Sequence, residues 1–335
     1  MQLSISFIIP VYNRPDEIEE LLQSLQKQTT NRPFEIVIVE DGSTLKADAV
    51  VNNYNATLDI SYYFKPNSGP GDSRNFGMKK AKGNYFIILD SDCIIPPQYL
   101  EVVFETLEKD YVDCFGGPDA AHQSFSALQK AINYAMTSFL TTGGIRGHKM
   151  AVNKFQPRSF NMGISKEAFQ KTGGFGNIHP GEDPDLTIRI WNHGFSTRLI
   201  DEAYVYHKRR ISWKKFYQQV HKFGLTRPIL NKWHPQTQKL TYWFPTFFLV
   251  AGIASLVLTA FGILLPILLL VFYFFINFIS SLVKNKSLYV ALLSIPAICI
   301  QFVGYGYGFL KSTWRVSVLK IKPEEAFPKL FFTKT

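Results

Sequence analysis

From Leu240 to Val283 the chain runs 44 residues without Asp, Glu, Lys, Arg or His. One bilayer crossing takes about 20 apolar residues, so this run is long enough for two. In hydrocarbon the backbone must satisfy its own hydrogen bonds, which leaves helices as the form for such segments. Gly262 and Pro266 mark the break, giving a hairpin of roughly 245–261 and 266–282. A third apolar run, 288–310, follows the basic turn Lys284-Asn285-Lys286. Buried helices of a soluble protein keep a charged face on each turn. These do not, so membrane segments are preferred over core helices.

The charge pattern agrees. The 335 residues carry a formal net charge of +10. Residues 1–202 hold 19 basic and 24 acidic side chains, whereas 203–335 hold 17 basic and 2 acidic. A nucleic-acid binder would be basic where it folds, so no nucleic-acid partner is expected. Residues 208–239 contain nine Lys or Arg and no acid, interleaved with Trp213, Phe216, Tyr217, Phe223 and Trp233. This composition predicts one or two amphipathic helices on an anionic membrane surface. The positive-inside rule then places the first half on the cytoplasmic face of the cell membrane. The end of the chain is also basic (Lys311, Arg315, Lys320, Lys322), yet three crossings would put it outside. Either the third run is re-entrant or interfacial, or the tail is an exception. The expected divisions are 1–207 for a catalytic domain, 208–239 for interfacial helices, 240–310 for membrane segments and 311–335 for a basic tail.

Cys93, Cys114 and Cys299 are far apart and form no CxxC pair, which argues against a disulfide framework or a zinc site and for a reducing compartment. The first residues, MQLSISFIIPVYNRPD, have no basic stretch before the apolar run and read as a strand rather than a signal peptide.

Residues 1–202 alternate strand and helix signals. Ser4–Val11, Phe34–Val39, Asp59–Phe64 and Asn84–Leu89 read as strands. Asp16–Gln28, with Ile18, Leu21, Leu22 and Leu25 at helical spacing, and Asp72–Ala81 read as helices. The alternation predicts an α/β domain with a mostly parallel sheet flanked by helices.

Ligands of open α/β sheets bind at the carboxyl ends of the strands, where this half concentrates its acids. Phe34–Val39 runs into Glu40-Asp41-Gly42-Ser43, and Asn84–Leu89 into Asp90-Ser91-Asp92. Carboxylates carried straight out of a buried strand are costly without a partner. In a turn, Asp90 and Asp92 can approach one site, and a few hard oxygen ligands suit Mg²⁺ or Mn²⁺ completed by substrate phosphates. The bland alternative is Asx capping of a turn. Asp41 reads as a turn residue or as an acceptor for a nucleobase or ribose. Lys65 and the Gly-rich segment Ser68–Asn75, which opens a helix, offer an anion-friendly loop. The segment lacks GxGxxG and GxxxxGK[ST], so neither a dinucleotide fold nor a P-loop is supported. Arg74 reads as a diphosphate bridge or as a surface salt bridge.

Gly181-Glu182-Asp183-Pro184-Asp185-Leu186 precedes a helix. With Pro184 at the first helical position, Asp183 reads as an N-cap or as a positioned base. Capping and the helix dipole lower a carboxyl pKa, so a base here needs opposing desolvation or a nearby acid, which Glu182 supplies. His207, ending the strand-like Ala203–Tyr206, reads as a third metal ligand or a structural histidine.

Five segments in order, FIIPVYNRPDEIEELLQSLQKQT, VIVEDGS, GPGDSRNFGMKKAKGNYFIILDSD, NMGISKEAFQKTGGF and GEDPDL, resemble glycosyltransferase family 2 over about residues 4–230. The resemblance implies a GT-A fold with C-terminal membrane helices and inverting sugar transfer from a nucleotide-diphospho-sugar donor with a divalent metal, Mn²⁺ or Mg²⁺. Carried over, Asp41 contacts the base or ribose, Asp90 and Asp92 form the DxD pair with Asp92 on the metal, and Asp183 is the catalytic base beside Glu182. Pro10, Tyr12 and Asn13 line the nucleotide pocket with Lys65 and Arg74. Tyr305–Lys311 is similar to a stretch in membrane-bound members. Processive members carry Gln-x-x-Arg-Trp, and Gln218-Gln219-Val220-His221-Lys222 lacks the Arg-Trp. The membrane segments point to a lipid-linked or glycan acceptor in cell-surface polysaccharide synthesis. Alternatives are a non-catalytic membrane scaffold that keeps the pocket, a processive polysaccharide synthase, or a membrane-bound nucleotidyltransferase, which leaves the Gly-Glu-Asp-Pro helix start unexplained.

Overall fold

The computed structural model describes residues 2–120, 126–142, 155–207 and 212–332, without the side chains of Ala120 and His207. Its elements run β1 (Ile5–Val11), α1 (Pro15–Gln26), β2 (Phe34–Asp41), α2 (Asp48–Asn52), β3 (Ile60–Lys65), α3 (Pro70–Lys80), β4 (Tyr85–Leu89), β5 (Cys93–Ile94) and α4 (Tyr99–Lys109). Next come β6 (Cys114–Gly116), β7 (Asp119–Ala120), α5 (Ala127–Thr137), α6 (Phe139–Thr142), β8 (Asn161–Ser165), α7 (Lys166–Thr172), α8 (Glu182–Asn192), β9 (Thr197–Leu199) and β10 (Val205–His207). The remainder is helical: α9 (Trp213–Trp233), α10 (Phe244–Ala260), α11 (Leu265–Asn285), α12 (Leu288–Ser312) and α13 (Pro323–Ala326).

The chain divides into two compact units: residues 1–122, 149–208 and 331–335 form the first, and 123–148 with 209–330 the second. The first is built on a seven-stranded sheet in the order β3-β2-β1-β4-β8-β6-β9. Every pairing is parallel except those of β8, which runs antiparallel to β4 and β6. The expected mostly parallel sheet is therefore present. β1 sends alternate side chains to opposite faces. Phe7 and Ile9 join Leu21, Leu22 and Phe104 in one buried cluster, and Ile8 joins Val37, Met78 and Leu186 in the other.

Two features open the sheet at its carboxyl edge. β1 pairs with β2 as far as Val11, opposite Glu40, but with β4 only as far as Ile8, opposite Ile88. Pro10 brings no N–H to the ladder. Strands β2 and β3 follow β1 on one side and β4 lies on the other, so the carboxyl ends of β1 and β4 form the switch point where such sheets take ligands.

A small three-stranded sheet, β5-β10-β7, lies next in sequence to the Asp90–Asp92 turn and pairs His207 with Cys93. Asn161, fully buried, braces it: Tyr99 Oη donates to its Oδ1 (2.6 Å), and its Nδ2 donates to the Ala203 carbonyl (2.8 Å). Gly117 passes so close that a Cβ there would lie 1.8 Å from the Ala203 oxygen and 2.1 Å from Asn161 Nδ2. Gly117→Ala is expected to cost about 3 kcal/mol through overpacking, read as a lower melting temperature of the detergent-solubilised chain.

In the second unit, α10, α11 and α12 are each long and apolar enough to cross a membrane, the candidate spans being Leu240–Ala260, Leu265–Asn285 and Leu288–Val318. Ser281 and Ser294 hydrogen-bond at 2.7 Å between α11 and α12, a polar contact typical of membrane helix pairs. The basic segment is one long helix, α9. Phe216, Val220, Ile229 and Leu230 are buried, and Phe216 and Val220 belong to a core shared with α12 and α5, including Ile132, Ala297 and Phe302. Lys214, Lys215, Lys222 and Lys232 of the same helix are exposed.

Candidate active site

The first half of the site is the end of β2. Asp41 is buried, yet its charge is answered on every side. Oδ1 accepts from the Ser68 N–H (3.0 Å) and from Lys65 Nζ (2.8 Å), and Oδ2 accepts from the Gly69 N–H (2.9 Å). Lys65 also pairs with Asp72 (3.2 Å) and donates to Ser68 Oγ. The Gly-rich loop and Lys65 thus converge on Asp41 as the sequence groups them. Hydrogen bonds and an ion pair of this kind fix a carboxylate in place.

At the neighbouring end of β1, Tyr12 stands 54% exposed. Asn13 adopts a positive φ of 55° and is occupied locally. Its Oδ1 accepts from the N–H groups of Thr44 and Leu45 (2.9 Å each), and its N–H donates to Ser43 Oγ (2.7 Å). Asn13 therefore splices the β1 and β2 strand ends, and Pro10 and Tyr12 carry the exposed rim.

The second half is centred on Arg74, on α3. Its side chain is 4% exposed and is no surface salt bridge. One amine donates to Asp90 Oδ1 (2.8 Å) and the other approaches Glu182 Oε1 (3.4 Å). The guanidinium also sits over the Phe175 ring, 5.3 Å from its centroid. The same Glu182 Oε1 is also bound by His179 Nδ1 at 2.8 Å. Burial pushes the Glu182 carboxyl up, but the His179 hydrogen bond and the His179 and Arg74 charges outweigh it, and the net direction is down.

Asp183 differs from the capping alternative. Helix α8 begins at Glu182, with Gly181 as its cap at φ 125° and no side-chain capping bond. A glycine takes that φ without the strain a side chain would add. Pro184 falls within the first turn, where a missing N–H costs nothing. Asp183 is thus a residue of the first turn, half-buried, with its Oδ1 shielded from solvent. Burial first, and the Glu182 charge second, push it up to about 6, against the pull of Arg74, a Ser159 hydrogen bond and Arg158. Its Oδ1 has no hydrogen-bond partner among the described residues. A carboxylate oxygen without a hydrogen-bond partner, on a group with a pKa near neutrality, is equipped to accept a proton.

Asp90 and Asp92 flank a turn closed by the Cys93 N–H to the Asp90 carbonyl (3.1 Å). Asp90 is held by Arg74, whereas Asp92 faces Glu17 of α1. Burial and the Asp92 charge raise the Glu17 carboxyl, and Ser91 donates to it at 3.0 Å. Acids brought this close to Asp92 are a donor set suited to a hard divalent cation. No group of three or more His, Cys, Asp or Glu converges among the described residues, so a cation here would draw its remaining ligands from a substrate or water. The His207 backbone pairs with Cys93, next to Asp92, and its side chain lies outside the described residues.

Sequence reasoning missed Glu17, His179 and Ser159. Glu17 sits among the acids that open α1, a pattern that reads as helix-dipole chemistry. Only His179, three residues before Glu182, carried a local signal.

The family model for glycosyl transferase family 2 matches residues 6–173. The chain belongs to glycosyl transferase family 2. An uncharacterized glycosyltransferase of Rickettsia bellii is 35% identical over 106 residues, 32% of this chain and 15% of that protein. The chondroitin synthase of Pasteurella multocida is 28% identical over 243 residues, 62% of this chain and 25% of that protein. The chain thus spans a quarter or less of the length of these two relatives. Among solved structures, a mannosyltransferase from Pyrobaculum calidifontis in complex with GDP-Man and Mn²⁺ is similar with a TM-score of 0.63 at 16% identity, covering 94% of this chain and 88% of that one. The shared fold is GT-A.

Proposed function

We propose that this chain transfers a sugar, with inversion, from a nucleotide-diphospho-sugar to an acceptor hydroxyl at the cytoplasmic face of a membrane. The observation that carries this reading is Asp183: half-buried, without a hydrogen-bond partner at Oδ1 among the described residues, and raised to about 6 beside a buried Arg74. In the reaction Asp183 takes the proton from the acceptor hydroxyl. The oxygen attacks the anomeric carbon from the face opposite the diphosphate, and the bond from that carbon to the diphosphate oxygen breaks. Asp41, with its Ser68, Gly69 and Lys65 donors, holds the nucleoside together with Tyr12 and Pro10. Arg74 steadies the carboxylates Asp90 and Glu182 on the diphosphate side.

Asp92 would hold the divalent cation, Mn²⁺ or Mg²⁺, with Asp90 behind it. The cation would neutralise charge on the leaving diphosphate. The Mn²⁺ bound by the Pyrobaculum mannosyltransferase supports the cofactor class, and that protein's GDP-Man supports the donor class.

A lipid-linked or glycan acceptor fits the three apolar helices and the exposed lysines of α9, which favour an anionic leaflet. Relatives named chondroitin synthase and hyaluronan synthase support polysaccharide synthesis as the setting. None of the acids that the family resemblance carries over is missing from the sequence, which favours an enzyme over a scaffold.

The test is release of nucleoside diphosphate by the full chain in detergent, across a panel of UDP- and GDP-sugars with Mn²⁺ or Mg²⁺. At least one donor is expected to turn over. Asp92→Ala is expected to lower that turnover by about a hundredfold or more, in line with the loss of a group that stabilises leaving-group charge. A chain inert to every donor, or an Asp92→Ala variant equal to wild type, overturns the reading.

A further inference from the structure

Two residues from the far end of the chain, Phe331 and Phe332, belong to the first unit. Phe331 forms an antiparallel bridge with Ile178, and the Phe332 N–H donates to the Asn177 carbonyl at 3.0 Å. These contacts add a strand-like edge to the loop that leads into Gly181 and Asp183. At the start of the loop Asn75 grips Phe175, accepting from its N–H and donating to its carbonyl, both at 2.8 Å. The loop is thus fastened at one point by α3 and at another by the distal segment.

The Phe332 ring touches both halves of the site. It packs close to Gly69: a Cβ on Gly69 would come within 2.5 Å of Phe332 Cγ and Cδ2. Gly69 is the residue whose N–H donates to Asp41 Oδ2. The ring also meets the His179 imidazole, tilted, with centroids 6.1 Å apart. His179 holds Glu182 Oε1, and its own side chain is 41% exposed. Without the ring, His179 has open solvent to turn into, and the Gly69 peptide, at φ 93°, loses the surface that backs it.

We propose that Phe332 is a positioning residue for the transfer reaction, its ring packed against both Gly69 and His179 so that the donors to Asp41 and the partner of Glu182 keep one geometry. The role rests on the transferase reading above. It touches no reacting atom and acts through Gly69 and His179. Pre-organisation of this kind is felt most in donor binding and in the alignment of the base, where small displacements carry large kinetic penalties.

The experiment compares full-length wild type, Phe332→Ala and Phe332→Leu in detergent, using a donor that wild type turns over. Phe332→Ala is expected to raise the donor KM roughly tenfold and to lower kcat severalfold. Faster amide exchange should appear in peptides covering residues 66–71 and 177–182, with exchange in β1 and β4 unchanged. Phe332→Leu, which restores apolar bulk, is expected to recover most of both. A Phe332→Ala variant with wild-type KM and wild-type exchange in those two peptides overturns the inference. So does a loss of rate that tracks only a smaller folded fraction, with KM unmoved. A wild-type chain that accepts no donor overturns the transferase reading and the kinetic role together. A wild-type chain that turns over while Phe332→Ala matches it overturns this inference alone.

Discussion

Replacing Asp183 by Asn is expected to cut kcat by about a thousandfold, within the range for removing a general base, while the protein stays folded and binds donor normally. The amide keeps the shape of the carboxyl and cannot take a proton. The pH dependence of wild type follows from the same residue. Its carboxyl is pushed up to about 6 by burial and by the Glu182 charge, and the base works only when deprotonated. Donor-saturated turnover should rise through pH 6 and level off above it, and the Asn variant's residual rate should lack that limb. Stability runs the other way. A carboxyl whose folded pKa is raised holds its proton longer in the native state than in the unfolded chain, so stability falls as pH climbs from about 4 to about 6. Asp183→Asn removes that penalty and should melt higher than wild type at pH 8. A variant that is active, or that loses stability at pH 8, contradicts the assignment.

Removing the Arg74 guanidinium should have the largest effect on stability. Arg74→Met keeps much of the volume but leaves Glu182, 6% exposed at its side chain, facing Asp90 and Asp183 with only His179 for company. Stranding buried charges in this way costs about 3–5 kcal/mol. The loss should be smaller at pH 4.5 than at pH 8, because the abandoned carboxyls can then take up protons. Arg74→Lys should rescue little, since a point-like ammonium cannot reach both carboxylates as the planar fork does. Thermal melts at the two pH values, with and without the substitutions, decide this.

Much of the frame was legible because it rests on local patterns. The apolar runs that become β1, β2 and β4 are continuous and β-branched, as strands buried on both faces must be, and the carboxylates that follow them mark the open edge of the sheet. The membrane helices declared themselves by the absence of charge. The site was legible as a set of residues and less so as a set of roles. The Gly181 φ of 125° starts helix α8 ahead of Asp183, and an uncapped glycine start gives no side-chain signal. Arg74 gave no hint of burial, because its partners Asp90 and Glu182 come from other elements, one of them 108 residues away. Glu17 and Phe332 were invisible for the same reason: their contacts are made by the fold, and neither carries a pattern of its own.

The grouping of α5 has a consequence for how such a molecule can change over evolution. This helix lies within the sequence span of the α/β unit, yet Ile132, Tyr134 and Met136 are buried in a core with Val220, Ile298 and Phe302, and Tyr134 donates to Asn277 of α11 at 3.4 Å. The membrane half is therefore no cassette that could be traded at a single junction. A chain that exchanged everything after residue 208 for another anchor would leave an apolar helix without its cover in the middle of the α/β half, and would have to rebuild that helix at the same time. Residues 127–137 and 288–312 are expected to change together, as two parts of one inheritance.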